Sequence, residues 1–157
     1  MFRTTLRPIP GAFAHWQSRR AMSYLYRFQI CPESQLFDKI FDQDDWEWED
    51  GIEVARDGLV YPKISVDGSN GALFMPNTHF MQEVTRRSFD NYLDAGTAIP
   101  KPLTLYRERD SRFTLQPSCP MTLQALNATL TEFYAASCSS ASPEEWLGKN
   151  PYHEAFF

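Results

Sequence analysis

Arg56-Asp57-Gly58-Leu59-Val60-Tyr61-Pro62 is the stretch on which the reading of this chain turns. From Gly58 to Ser65 the residues are those of a strand, and Asp67-Gly68-Ser69-Asn70-Gly71 is a dense turn signal ahead of Ala72-Leu73-Phe74-Met75. A hairpin is therefore expected there. Upstream, Tyr24-Leu25-Tyr26-Arg27-Phe28-Gln29-Ile30 is aromatic and branched and stops before Pro32, which predicts a first strand. Strand alternation sets Tyr26 and Phe28 on one face and Leu25, Arg27 and Gln29 on the other.

Other elements follow from periodicity. Leu36, Phe37, Ile40 and Phe41 recur at helical spacing, so Pro32 to Phe41 predicts a short amphipathic helix. Asp42 to Asp50, with Trp46 and Trp48, reads as an irregular loop. Asn77 or Thr78 is placed to cap a helix running to about Leu93, with Phe80, Met81, Val84 and Tyr92 as its buried stripe and Asp94-Ala95-Gly96 as its end. Leu103 to Glu108 and Arg112 to Gln116 read as two strands around a polar turn at Asp110-Ser111. Pro120 suits the first turn of a helix carrying Leu123, Leu126, Leu130 and Phe133, and Ser142-Pro143-Glu144-Glu145 matches a capping box before Trp146.

At 157 residues, 43% apolar and 15% aromatic, the chain is long and apolar enough for one aromatic-rich core. No window approaches the apolar length of a membrane span. Residues 1 to 32 carry five Arg and no acid, so the net charge of −5 conceals a remainder of −10. Nine acidic residues lie between Asp38 and Asp57, a face that repels a phosphate backbone, and nucleic acid is not expected as a partner. That acidic run is a solvated face or loop, or else an electrostatic docking patch for a basic partner. Cys31, Cys119 and Cys138 have no metal-ligand spacing, and His15, His79 and His153 are far apart, so no metal site is expected. Reduced thiols fit a cytoplasmic working compartment. The basic, acid-free residues 1 to 22 read as a flexible arm or as a mitochondrial transit segment, leaving residues 23 to 157 as the domain.

Several ordered pieces carry a family resemblance: Leu25-Tyr26-Arg27, the Arg56 to Pro62 stretch, Gly96-Thr97-Ala98-Ile99-Pro100, Phe113-Thr114-Leu115-Gln116-Pro117 with Pro120-Met121, and Trp146. From roughly Ser23 to Trp146 the chain resembles the Tse-two group of type VI secretion toxins and their fungal relatives. The resemblance implies an α+β, ADP-ribosyltransferase-like fold: a split, curved antiparallel β-sheet flanked by short helices. It implies a cytotoxin or effector that uses NAD as substrate, transferring ADP-ribose to an intracellular target or consuming the dinucleotide. An immunity or inhibitor protein over the cleft is a partner of the kind such toxins have.

The same resemblance nominates residues. Arg27, with Tyr26 beside it, stands where an arginine of the first strand grips the NAD phosphates, a task suited to the guanidinium fork. A Gly-Gly-Thr-Ser element of the family aligns in two ways: on Gly71, bringing Ala72 and Leu73, or on Gly68, bringing Ser69 and Asn70. Arg112 replaces the His that precedes the family threonine, here Thr114. A permanent cation there binds or stabilises an anion but does not act as a base. Arg27, Arg112 and Ser69 are thus the catalytic candidates, with Tyr26, Arg27, Asn70 and Thr114 for cofactor binding. Glu108, in Tyr106-Arg107-Glu108-Arg109-Asp110, superficially resembles a catalytic Glu-x-Glu loop, but Arg107, Arg109 and Arg112 offer ion pairing as the simpler account. The departures at Arg112 and Ala72-Leu73 also fit an alternative: a catalytically degenerate member acting as a nucleotide- or protein-binding module.

Overall fold

A computed structural model of the protein describes residues 24–29, 31–39, 51–63, 70–84, 89–94, 97–108 and 112–152. The arm over residues 1–22, the acidic loop with Trp46 and Trp48, the turn residues 67–69, and His15 and His153 lie outside them. The architecture is α+β. Ten short strands are described: β1 (Tyr24–Gln29), β2 (Phe37–Asp38), β3 (Gly51–Ile52), β4 (Leu59–Val60), β5 (Ala72–Phe74), β6 (Phe89–Asp94), β7 (Leu103–Arg107), β8 (Phe113–Pro117), β9 (Met121–Thr122) and β10 (Ser139–Ala141). Three helices join them: α1 (His79–Val84), α2 (Leu123–Ser137) and α3 (Pro143–Lys149).

Two three-stranded antiparallel sheets, β1-β6-β10 and β5-β8-β7, carry the fold. They touch at a bridge between Tyr26 and Met75, whose backbones exchange bonds of 2.7 and 2.9 Å. The sheet is thus split, as the resemblance implied. Leu126, Leu130, Phe133 and Tyr134 of α2 bury against Leu25, Phe74, Leu105, Phe113 and Leu115, forming the larger described core cluster. A second cluster holds Tyr26, Leu73, Met75, Met81, Ala141 and Trp146.

The β7–β8 hairpin, the α2 stripe and the cap of α3 match expectation. Ser142 Oγ accepts from the Glu145 amide at 3.2 Å, as a capping residue does. Helix α2 begins later than Pro120 implied, because Thr122 is its cap, accepting from the Ala125 amide at 3.1 Å.

Three expectations fail for one physical reason, tertiary pairing overriding local pattern. The helix predicted over Pro32 to Phe41 is replaced, in its described part, by an extended segment ending in β2, which pairs in parallel with β3. Asn127 of α2 holds that segment open: its Oδ1 accepts from the Leu36 amide and its Nδ2 donates to the Leu36 carbonyl, both at 2.9 Å. The helix from Thr78 is real at its start, where Thr78 Oγ1 accepts from the Met81 amide. It is described only to Val84, and residues 89–94 form β6, the centre of a sheet paired on both sides. Among the described residues the hairpin of Gly58 to Ser65 with Ala72 to Met75 is not formed either, since β4 pairs with β9 and β5 with β8.

The opening stretch is instead a turn of its own. Gly58 adopts φ +80°, a conformation that glycine reaches without Cβ strain. Asp57 accepts from the Leu59 amide at 3.0 Å and from the Tyr61 hydroxyl at 2.6 Å, so residues 55 to 61 fold back on themselves with β4 within the turned segment and Val60 in the core.

Candidate functional site

Arg27 lies where the two sheets part. Backbone groups of a strand face alternate edges, so the Leu73 carbonyl shares with Met75 the edge of β5 that looks toward β1. Tyr26 takes Met75, and the ladder stops there. At Leu73 the acceptor is filled by a side chain: Arg27 Nη1 donates to the carbonyl oxygen at 3.4 Å. Arg27 is 3% exposed, a cation almost withdrawn from water and held at the seam. Such burial is costly unless the guanidinium is hydrogen-bonded.

From Leu73 the arrangement continues across the second sheet. Leu73 stands opposite Thr114, and Thr114 opposite Tyr106, so their side chains share one face, with Gln116 two positions further along β8. At the far end the Glu108 amide donates to the Arg112 carbonyl at 2.8 Å, closing the β7–β8 hairpin. The Thr114 hydroxyl donates to Glu108 Oε1 at 2.7 Å, and Arg112 Nε donates to Glu108 Oε2 at 3.3 Å. Two nominated residues, Thr114 and Arg112, are thereby joined through a third. The expected ion pair of Glu108 with Arg112 is present; the hold of the same carboxylate on Thr114 was not foreseen. Its signal was the strand register, which sets position 108 opposite 112.

Asn70 is engaged differently. Its Oδ1 accepts from the Glu53 amide at 2.7 Å, and its Nδ2 donates to the carbonyls of Glu53 and Tyr61 at 2.8 and 3.2 Å. Gln116, which sequence reasoning passed over, accepts through Oε1 from the Asn70 and Lys63 amides at 3.2 and 3.0 Å. The pair stitches the β3–β4 region onto β8. Gly71 follows because nothing larger fits: a Cβ there would stand 2.7 Å from the Gln116 Cα and closer still to the Leu115 carbonyl oxygen. Ala72 and Leu73 are buried in β5. Ser69 lies outside the described residues.

Tyr26 faces away from Arg27, as alternation requires. Its ring meets Trp146 edge-on at 4.9 Å, its hydroxyl donates to Asn150 Oδ1 at 2.9 Å, and it lines a groove of about 240 Å³ with Tyr24, Ala141, Trp146, Lys149 and Asn150. Tyr26 and Arg27 are therefore not brought to one surface. His79 is exposed, near Glu83 and the ring of Tyr152. Burial pushes the Cys138 thiol up to about 12, which makes it a poor nucleophile. Among the described residues no cluster of His, Cys, Asp or Glu is arranged to hold a metal, and no helix is long and apolar enough to cross a membrane.

Chemically, the site offers a buried arginine at the seam and, across the neighbouring strands, a hydroxyl, a carboxylate and a half-exposed arginine. Arg112, beside that hydroxyl and carboxylate, suits an anionic group, while Arg27 reaches the Leu73 carbonyl from the face of β1 opposite to Tyr26. Arginine donors hold an anionic ligand in place and do not exchange protons with it near neutral pH. No curated protein and no solved structure matches the chain significantly. The model of the family described as Tse2 ADP-ribosyltransferase toxin matches residues 23–146, most of the chain and all of the seam, so the protein belongs to that family.

Proposed function

We propose that the protein is an NAD-consuming toxin whose Arg27 grips the dinucleotide diphosphate while ADP-ribose is passed to an intracellular acceptor. The observation that carries this reading is the buried Arg27 at the gap between the sheets, in a chain that belongs to a family of ADP-ribosyltransferase toxins. In the reaction the bond from the ribose anomeric carbon to the nicotinamide nitrogen breaks and nicotinamide leaves with the electron pair. The acceptor, or water, forms the new bond and gives up its proton. Fixed cations on the phosphates hold the sugar in place while positive charge develops on it. Ser69 is the proposed hydroxyl contact, while Thr114, buried and donating to Glu108, braces the strand behind it, with Asn70 holding the loop that enters β5.

A second reading is favoured by one observation. Arg112 occupies the position of the family histidine and is tied to Glu108, an arrangement suited to holding an anion and not to moving a proton. Under it the cleft binds NAD without turnover. Nicotinamide release and NAD binding, measured on wild type, Arg27→Ala and Arg27→Lys with cell lysate supplying acceptors, separate the two. Release lost in both variants is the expected result. Arg27→Lys keeps the charge and loses the two-point fork. Binding without release would select the second reading, and release that survives both substitutions would refute the role of Arg27.

A further inference from the structure

We propose that Asn150 is a positioning residue for Arg27: it clamps the Tyr26 hydroxyl on one face of β1 and so fixes how the Arg27 side chain leaves the other. The inference rests on the reading of Arg27 as the residue that grips NAD. Asn150 caps the end of α3, and each of its polar groups is engaged. Its backbone N–H and its Nδ2 both donate to the Trp146 carbonyl at 2.9 Å, and its own carbonyl accepts from Gln82 Nε2 at 2.7 Å and from Asn77 Nδ2 at 3.3 Å. Gln82 Nε2 also donates to Asn77 Oδ1 at 2.8 Å, so α1 and the end of α3 are tied at one residue. The remaining acceptor, Asn150 Oδ1, takes the Tyr26 hydroxyl at 2.9 Å.

Tyr26 is the residue at which such a clamp acts on the seam. Its backbone makes both bonds of the bridge to Met75, at 2.7 and 2.9 Å, and its ring meets Trp146 edge-on at 4.9 Å. A ring contact tolerates tilt, whereas a hydrogen bond at the tip of the side chain is directional and holds the end farthest from the backbone. Neighbouring side chains of a strand leave on opposite faces, so a roll of β1 that carried the Tyr26 ring one way would swing Arg27 the other. The contact at stake is Arg27 Nη1 to the Leu73 carbonyl at 3.4 Å, a long hydrogen bond that a small roll would break. Leu73 and Met75 belong to the same apolar cluster as Tyr26 and Trp146, so both walls of the seam are set against one helix end.

A clamp that only stabilises the fold and one that places Arg27 predict different orders of effect. The experiment is titration calorimetry of NAD against wild type, Arg27→Ala, Tyr26→Phe, Asn150→Ala, Asn150→Asp and the double variant of Tyr26→Phe with Asn150→Ala, with melting temperatures recorded. Tyr26→Phe keeps the ring and loses the clamp. Asn150→Asp keeps the acceptor for Tyr26 but loses the donor to Trp146 and sets a negative charge at a helix C-terminus, so it should melt below Tyr26→Phe. We expect NAD binding about tenfold weaker in both Tyr26→Phe and Asn150→Ala, the effect of a slightly misplaced gripping group, with no further loss in the double variant. Asn150→Asp should bind close to wild type, so affinity and melting temperature rank it and Tyr26→Phe in opposite orders. Affinity that follows melting temperature across the set would overturn the proposal, as would a loss in Tyr26→Phe without one in Asn150→Ala, the mark of a hydroxyl that meets the ligand itself. Wild type that does not bind NAD would bring down the NAD reading and this proposal together; binding that needs Arg27 but ignores Tyr26 and Asn150 would bring down this proposal alone.

Discussion

The two sheets meet at one bridge yet are assembled in opposite ways. In β5-β8-β7 the last two strands are chain neighbours joined by a short loop, so their pairing needs little closure entropy. In β1-β6-β10 every pairing is between distant segments, and the central strand arises from residues whose local pattern favoured a helix. One pairing, β7 with β8, is written along the chain, while β5 and every strand of the other sheet join from remote segments. Their backing differs as well: β8 lies over the α2 core, whereas β1 is shared between that core, through Leu25, and the Trp146 cluster, through Tyr26, which also takes Ala141 of β10.

The largest expected effect tests how far β1-β6-β10 hangs on the Trp146 side chain. Trp146→Ala removes a fully buried indole and should cost about 3–5 kcal/mol by urea unfolding. Amide exchange in that variant should accelerate at β1 and β6 before β8; equal acceleration would mean the sheets open as one unit. Gly71→Ala attacks the opposite sheet, forcing a methyl into the backbone of Leu115 and Gln116, and should cost about 3 kcal/mol. An unchanged denaturation midpoint would show that β5 shifts to make room.

A smaller effect concerns the segment that failed to become a helix. Asn127→Ala removes the acceptor of the Leu36 amide and the donor to its carbonyl, so about 1–3 kcal/mol should be lost. Restored helical circular dichroism in the variant would show that Asn127 alone was suppressing the local preference. The smallest effect lies at the sheet edge and depends on pH. The hydrogen bond and charge of Lys63, then the charge of Lys39, hold Glu53 below its ordinary 4.5. A lowered folded value means the stabilisation is present above pH 4.5 and lost as pH falls through the folded value. Wild type should therefore melt slightly above Glu53→Gln at pH 7, with the difference shrinking as pH falls below 4.5 and reduced by salt at pH 7. A difference that grows on acidification would contradict the sign.

These contrasts account for what was legible. The β7–β8 hairpin, the Leu126, Leu130 and Phe133 stripe and the Ser142 cap are set by residues within a few positions of one another, and each was read correctly. Segment 89–94 was not, because Phe, Tyr and Leu serve a helix stripe or a central strand equally well and only β1 and β10 decide between them. Within the site, Arg27 was legible as a residue and illegible as a position. Nothing local says that its partner is the Leu73 carbonyl, or that Tyr26 beside it serves a groove on the other face.

By itself the amino-acid sequence determined the class of fold, the Ser142 cap, the strand carrying Arg27 and, through short ordered motifs, the family. These depend on steric and hydrogen-bonding preferences that act over a few residues. Only the tertiary structure decided which strands pair, where the sheet splits, and that Thr114, Glu108 and Arg112 form one chain of contacts. Those outcomes depend on backbone edges and buried polar groups finding partners from remote segments, and local preference holds no record of that search.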